Sequence, residues 1–219
     1  MMRAVLWDID GTLLDSEPHH FNSFVAVCES HGQTLAKADY DRLLGRSMAE
    51  VYAMLNAVQP LPLDLPDFAA ACSDHYVTHV AKVPARRGAL EQVAELARAG
   101  VLQACVSNSA RRVVEANMGV IAMPEALRFA LSRDDVTKGK PDPEPYLRAA
   151  ERLGMAPEDC VVVEDSPIGA RAAKAAGMVT IAWPQHATLE FDAVDLIIAD
   201  LREVDWTNPL QGRKITANH

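Results

Sequence analysis

The chain has 219 residues, of which 49% are hydrophobic and 23% charged, and these values predict an ordered globular protein with one core and room for a smaller insert. The formal net charge of −9 argues against a nucleic-acid partner, because such binding depends on basic side chains that neutralise phosphates. No apolar run approaches the roughly 20 residues of a membrane span, and the N-terminus carries no signal-peptide pattern, so we expect a cytoplasmic protein without a membrane partner.

The chain opens with a short apolar strand, and the segment from 15 to 84 then follows a different pattern. Its apolar residues recur at helical spacing, with no convincing buried strand. These residues are Phe21, Phe24, Val25, Cys28, Val51, Leu55, Val58, Phe68, Cys72, Tyr76 and Val80. The proline-rich LPLDLP at 61–66 predicts a loop, and Pro84 marks the return to the core. We expect a core domain formed by 1–14 and 85–219, with an all-helical cap domain inserted at 15–84.

Outside this insert, short apolar strands alternate with helical patterns. The predicted strands are RAVLWD at 3–8, VLQACVS at 101–107, CVVVE at 160–164, VTIAW at 179–183 and DLIIA at 195–199. Three predicted helices end at Gly100, Gly154 and Gly177, where a helix C-terminus needs a left-handed residue. Ser166 and Asp142, each followed by proline, mark two helix starts. The alternation predicts an α/β fold, a Rossmann-like parallel sheet core with helices on both faces.

The sequence DIDGT ends the first predicted strand with two carboxylates. Asp8 and Asp10 are two residues apart, which in a strand places them on one face at roughly 7 Å. The carboxyl end of a parallel strand is where ligands bind in open α/β sheets. A calcium loop does not fit, because such a loop needs glycine at position six and glutamate at twelve, whereas Gly11 falls at four and His19 at twelve. A polar strand-to-loop transition is the alternative for this pair alone.

Three further polar features occur at the ends of predicted strands or before predicted helices. Ser107 and Asn108 end the second strand, where they could face an anion, although a serine N-cap is a commoner reason for such a residue. The nearby prolines would hold Lys140 in one direction, as a fixed counter-charge requires, whereas a solvated lysine is the alternative. Glu164 and Asp165 follow a very apolar strand and need a cation or strong hydrogen bonds to tolerate one another.

The order of these features along the chain resembles the four motifs of the haloacid dehalogenase-like hydrolases. The matching features are DxDGT near the N-terminus, serine after a middle strand, lysine before a helix, and ED after a later strand. The sequence VVVEDSPIGARAAKAAGM at 161–178 and the helical insert after the first motif resemble the β-phosphoglucomutase-like subgroup with a helical cap. The resemblance spans nearly the whole chain.

The resemblance implies a magnesium-dependent phosphatase that acts on a small phosphorylated metabolite, such as a sugar phosphate. Asp8 would be the nucleophile that forms an aspartyl phosphate, and Asp10 would protonate the leaving oxygen and then activate water. The implied magnesium ligands are the Asp8 carboxylate, the Asp10 backbone carbonyl, Asp165, and Glu164 either directly or through water. The residues that would hold the transferring oxygens are Thr12, Ser107, Asn108 and Lys140.

Substrate choice should depend on the predicted cap, where Gly45, Arg46 and Ser47 match the position of the subgroup's specificity loop. A contact from Arg46 would favour a polyhydroxy or carboxylate-bearing phosphate, and a solvated arginine is the alternative. His75 and His79 have the i,i+4 spacing of metal ligands, but no third ligand is evident.

Three other functions were compatible with parts of this pattern. A sugar-phosphate mutase uses the same aspartyl phosphate, and His20 matches a histidine of that branch. GRSMAEV lacks the arginine expected after the loop serine, although Arg46 could substitute for it. Phosphonate cleavage needs a cap lysine, for which Lys37 is the candidate. A non-catalytic phosphometabolite-binding module would not require a nucleophile and an acid together. We expect a monomer or a weak dimer.

Overall fold

A computed structural model describes residues 2–43, 46–123 and 125–209, with the side chains of Lys37 and Asp41 left out. The predicted substrate contact at Gly45 and the side chain of Lys37 therefore lie outside the described part of the chain.

The described strands form one sheet in which every neighbouring pair is parallel, as predicted from the sequence. The strands are β1 (Ala4–Trp7), β2 (Leu102–Val106), β3 (Ala130–Leu131), β4 (Cys160–Glu164), β5 (Val179–Ala182) and β6 (Leu196–Ile197), in the order β3-β2-β1-β4-β5-β6. Strand β1 lies between β2 and β4, and Trp7 pairs with both Cys105 and Val163. This register brings the carboxyl ends of the three motif-bearing strands to the same level.

Helices cover both faces of this sheet. They are α1 (Glu17–Ser30), α2 (Tyr40–Leu43), α3 (Met48–Val58), α4 (Leu65–His79), α5 (Ala89–Arg98), α6 (Arg111–Ile121), α7 (Glu144–Leu153) and α8 (Pro167–Ala175). Alternate residues of β1 point to opposite faces, so Val5 and Trp7 pack with α5 and α6, while Ala4 and Leu6 pack with α7 and α8. A strand buried on both faces must be apolar throughout, which explains its sequence.

Helices α1–α4 lie between β1 and α5 in the chain, and they have a hydrophobic cluster of their own. Phe21, Val51 and Phe68 are among its buried residues. The two ends of this segment lie together, because Asp15 N donates to Pro84 O at 2.9 Å. The division into a core and a cap domain with boundaries at 15 and 84 stays a prediction.

The structure confirms several local predictions and corrects others. Gly100, Gly154 and Gly177 all have positive φ angles, as a helix C-terminus requires. Val58, one of the apolar residues at helical spacing, is 81% exposed and is the last residue of α3. Helix α7 begins at Glu144, one residue after the predicted start.

The loop predicted at 61–66 is shorter than expected. Helix α4 already begins at Leu65, and Asp64 caps it by accepting from Asp67 N at 2.9 Å. Pro66 is tolerated because a proline in the first helical turn removes no hydrogen bond of the helix. Within the described residues, no helix combines the length and the apolar character needed to cross a bilayer.

Candidate active site

The side chain of Lys140 is buried at the carboxyl end of the central strands. Its Nζ donates to Asp8 Oδ1 at 2.7 Å and to Glu164 Oε1 at 2.6 Å. The third donation, at 2.9 Å, reaches the carbonyl oxygen of Val106 at the end of β2. The ammonium group thus has three acceptors and balances two buried carboxylates, the arrangement in which a buried charge is tolerated. Lys140 is a fixed counter-charge to Asp8, as the sequence suggested, and not a solvated lysine.

Glu164 is fully buried, and both of its carboxylate oxygens are hydrogen-bonded. Oε1 accepts from Tyr146 OH at 2.7 Å in addition to Lys140, and Oε2 accepts from Ser166 Oγ at 3.0 Å. Helix α8 approaches this closely because Gly169 has no side chain, and a Cβ there would overlap the carboxylate. These contacts favour a water-mediated position for Glu164 at a metal over direct coordination.

Three acidic side chains form a group that could hold a cation. Asp8, Glu164 and Asp165 each bring one oxygen to within 4.8 Å of the others. Asp8 Oδ2 is buried and accepts no hydrogen bond from any residue in the described part of the chain. Burial and the charge of Glu164 raise the pKa of Asp8 to about 8, and burial together with Asp8 raises the pKa of Asp165. A divalent cation would offset this repulsion, so the donor set fits a hard cation with oxygen ligands.

The loop after β1 lies directly against Asp165. Gly11 has a φ of +81°, and a Cβ on it would overlap the Asp165 carboxylate. Thr12 Oγ1 lies 3.5 Å from Asp165 Oδ1, and Arg86 Nη1 donates to the carbonyl oxygen of Gly11 at 2.8 Å. The Thr12 hydroxyl therefore faces a predicted metal ligand in this structure.

Asp10 is held by a dense set of hydrogen bonds. Among the described residues, the side chains that bond its Oδ1 are Ser16, His20 and Asn117, each at 3.0 Å, and those that bond Oδ2 are Ser107 at 3.1 Å and Ser109 at 2.8 Å. Burial alone would raise the pKa of Asp10, but His20 and the serine hydroxyls outweigh it and lower this pKa well below its usual range. Asp10 is thus ionised here, and one of these bonds must give way before it can carry a proton.

Ser107 and Asn108 are both occupied by protein contacts. The Asn108 side chain forms two hydrogen bonds with the backbone of Lys140, donating to its carbonyl at 3.0 Å and accepting from its N–H at 2.8 Å. Asn108 thereby fixes the loop that carries the lysine. Ser107 is not a helix N-cap, because α6 begins at Arg111 with Ala110 in the cap position, and the Ser107 hydroxyl instead bonds Asp10.

A cavity of about 800 Å³ lies between this site and helices α1–α4. Asp8 lines this cavity, and so do Arg46 and Ser47. Arg46 is exposed and donates through Nε to a carbonyl of α2 at 2.7 Å. Ser47 caps α3 in a reciprocal pair with Glu50, so its hydroxyl already has partners. The predicted cap contacts therefore face the same space as the predicted nucleophile.

His75 and His79 were the second candidate metal site, and among the described residues no third ligand lies close enough to complete it. The two rings lie 4.3 Å apart, and His79 Nδ1 bonds the carbonyl oxygen of His75 at 2.8 Å. Over the described residues, the acidic group at Asp8 is the one set of three candidate ligands that lie close enough together.

Sequence reasoning missed four residues of the site. They are Ser16, Ser109, Asn117 and Tyr146. In the sequence, Tyr146 cannot be distinguished from an ordinary core residue of α7. Asn117 left a detectable signal, since it lies in the apolar stripe that α6 buries against the sheet.

Comparison with known proteins matches this chain to one family along most of its length. A family model described as haloacid dehalogenase-like hydrolase covers residues 5–183. Hexitol phosphatase A of Escherichia coli K12 is 30% identical over 223 residues, covering 96% of each chain. N-acetylmuramic acid 6-phosphate phosphatase of Pseudomonas aeruginosa is 32% identical over 185 residues, covering 83% of this chain and 81% of its own. The crystal structure of CbbY from Rhodobacter sphaeroides in complex with phosphate has a TM-score of 0.82 and 30% identity, covering 91% of this chain and 95% of its own.

Proposed function

The chain belongs to the haloacid dehalogenase-like hydrolases and is a phosphomonoester hydrolase, and we propose that it cleaves sugar phosphates or related esters with magnesium and an aspartyl phosphate on Asp8. The observation that carries the proposal is the buried Oδ2 of Asp8, which has no partner among the described residues while Lys140 binds its Oδ1. An oxygen fixed in this way can attack phosphorus without first giving up a hydrogen bond. The names of the two phosphatase relatives support the choice of phosphorylated sugars.

The proposed reaction has two displacements at phosphorus. In the first, Asp8 Oδ2 forms the new P–O bond while the bond to the leaving oxygen breaks, and Asp10 gives that oxygen a proton. In the second, Asp10 takes a proton from water, whose oxygen attacks phosphorus and releases Asp8. Lys140 keeps Asp8 oriented and balances negative charge throughout.

Asp8, the backbone carbonyl of Asp10 and Asp165 would hold the magnesium, with Glu164 reaching it through water. When bound, the ion supplies positive charge that lets an anionic phosphate approach a carboxylate. Thr12, Ser107 and Asn108 would contribute to the phosphate pocket mainly through the backbone around them, because their side chains have protein partners.

A sugar-phosphate mutase is the nearest alternative, and incubation with a sugar 1-phosphate separates the two. Release of inorganic phosphate supports the hydrolase, whereas formation of the isomeric sugar phosphate would identify a mutase. A cytoplasmic location, a monomeric or weakly dimeric state and the absence of a nucleic-acid partner stay predictions from the sequence.

Metal dependence is the first expected result. Chelation should abolish phosphate release from an aryl phosphate, and magnesium should restore it, because Asp8 and Asp165 otherwise repel each other and the substrate. Calcium should restore it poorly, since its looser coordination misplaces the nucleophile relative to phosphorus. Phosphate release measured across a metal series tests this, and full activity in chelator would contradict it.

Replacement of Arg46 by alanine should discriminate between substrates. Arg46 lines the same cavity as Asp8, so kcat/KM should fall about tenfold or more for a sugar phosphate that reaches the cap. It should change little for p-nitrophenyl phosphate, which is small enough to remain at the core side. Arg42→Ala, in α2 and outside the residues described as lining the cavity, is the matched control. Equal losses on both substrates would place Arg46 outside the specificity site.

A further inference from the structure

Asn117 is a polar residue in the otherwise apolar face of α6. Its neighbours Val113, Val114 and Ile121 belong to the core against the sheet, and Asn117 itself has no exposed surface. An amide buried in this way destabilises the fold unless its oxygen and nitrogen find partners. The partners that it has found therefore indicate what it does.

The amide of Asn117 joins a phenol on α4 to the carboxylate of Asp10. Tyr76 OH donates to Asn117 Oδ1 at 2.8 Å, and Asn117 Nδ2 donates to Asp10 Oδ1 at 3.0 Å. The opposite amide orientation would place Oδ1 against the carboxylate, and two acceptors would repel each other. The contacts on both sides thus hold the amide with its donor toward Asp10.

The two oxygens of Asp10 differ in what surrounds them. In the described part of the chain Oδ1 has three side-chain partners, Ser16, His20 and Asn117, and the Nδ2 of Asn117 can only donate, so a proton on Oδ1 would meet this fixed donor. The partners of Oδ2 are the hydroxyls of Ser107 and Ser109, which can rotate and accept instead of donate. Oδ1 is therefore the anchored oxygen, and Oδ2 is the one that can exchange a proton.

We propose that Asn117 is a positioning residue that anchors Asp10 through Oδ1, with Tyr76 fixing the amide, so that Oδ2 is presented for proton transfer. This inference rests on the proposed function, because it takes Asp10 as the acid and base. Asn117 acts through Asp10 and contacts neither the phosphate nor the leaving group.

The experiment compares kcat/KM for phenyl phosphate and p-nitrophenyl phosphate, because only the phenyl ester needs a proton on its leaving oxygen. In Asn117→Leu, which keeps the branched shape but removes the donor, the value for phenyl phosphate should fall about ten- to a hundredfold. The value for p-nitrophenyl phosphate should fall less than about threefold, and KM should change little for either ester. Tyr76→Phe, which removes only the hydroxyl, should show the same pattern more weakly.

Two controls separate positioning from folding. Tyr52→Phe removes another phenol hydroxyl of the insert, which donates to Leu63 O at 2.7 Å, and should leave the ratio between the two esters unchanged. In an Asp10→Asn background, Asn117→Leu should change phenyl phosphate cleavage less than about twofold, because its effect passes through Asp10.

Each contrary outcome identifies what has failed. Equal losses on both esters, or an undiminished loss in the Asp10→Asn background, would give Asn117 a purely structural role and overturn the inference. The inference alone also fails if Asp10→Asn discriminates between the esters and both Asn117→Leu and Tyr76→Phe behave as wild type. If Asp10→Asn does not discriminate, the acid role of Asp10 fails and the inference with it. Thermal unfolding shows whether Asn117→Leu is folded, and Tyr76→Phe carries the test if it is not.

Discussion

Asp8→Asn should abolish turnover of every phosphate ester, with kcat reduced about 10⁴-fold or more. Asparagine preserves the shape of the side chain but cannot form the acyl phosphate, so no phosphoenzyme should be found by mass spectrometry after acid quenching. The loss should not come from unfolding. Burial and Glu164 raise the pKa of Asp8 to about 8, so the fold without a metal gains little stability from the negative charge at this position.

The variant should therefore be no less stable than wild type in chelator. Magnesium should raise the unfolding temperature of the wild-type protein but much less that of Asp8→Asn, because the variant lacks the negative charge of the Asp8 carboxylate. Asp159→Asn is the matched control, since Asp159 precedes the opposite end of β4 and pairs at 3.8 Å with the exposed Arg3. A phosphoryl adduct on Asp8→Asn protein, or turnover near the wild-type rate, would move the nucleophile elsewhere.

The fold was largely predictable because its signals are local. A strand buried on both faces must be apolar throughout, and a helix that ends in a left-handed residue favours glycine, as at Gly100. Strand β3 was missed because Ala130 and Leu131 are too few to form a pattern, and they become a strand only by pairing with the edge of β2. Val58 fits the helical spacing but is exposed, because a period identifies the face of a helix but not where the helix leaves the core.

The site divides in the same way between local and distant signals. Asp8 and Asp165 directly follow strands and Lys140 lies in a loop with nearby prolines before α7, and these local patterns made them candidates without coordinates. The contacts of Tyr146 and Asn117 depend on how α7 and α6 cross the sheet, which no local pattern states. Ser107, Asn108 and Thr12 are intermediate between these two groups. The sequence named them as candidates for the site, but it did not indicate which protein groups their side chains contact.

Asp10→Asn should fail differently from Asp8→Asn, although both residues belong to one motif. A sugar phosphate has an alkyl leaving oxygen that must be protonated as it departs, so kcat/KM should fall about 10²- to 10⁴-fold. For p-nitrophenyl phosphate the phenol leaves unaided, and Asp8 should still be phosphorylated. Water attack then lacks its base, because an amide cannot accept the proton that Asp10 would take, so the aspartyl phosphate should accumulate.

Mass spectrometry of acid-quenched Asp10→Asn after mixing with p-nitrophenyl phosphate tests this directly by locating the adduct. Asp15→Asn is a suitable control, because Asp15 follows the same motif but bonds Gln185 outside the carboxylate cluster. The Asp15→Asn variant should keep the substrate preference of the wild type. An adduct on a residue other than Asp8 would overturn the assignment of the nucleophile. Equal retention of activity on the sugar phosphate and on p-nitrophenyl phosphate would contradict the role of Asp10 as an acid. Asp10 would then be an ionised residue that organises the site, a state that its five hydrogen-bond partners among the described residues also favour.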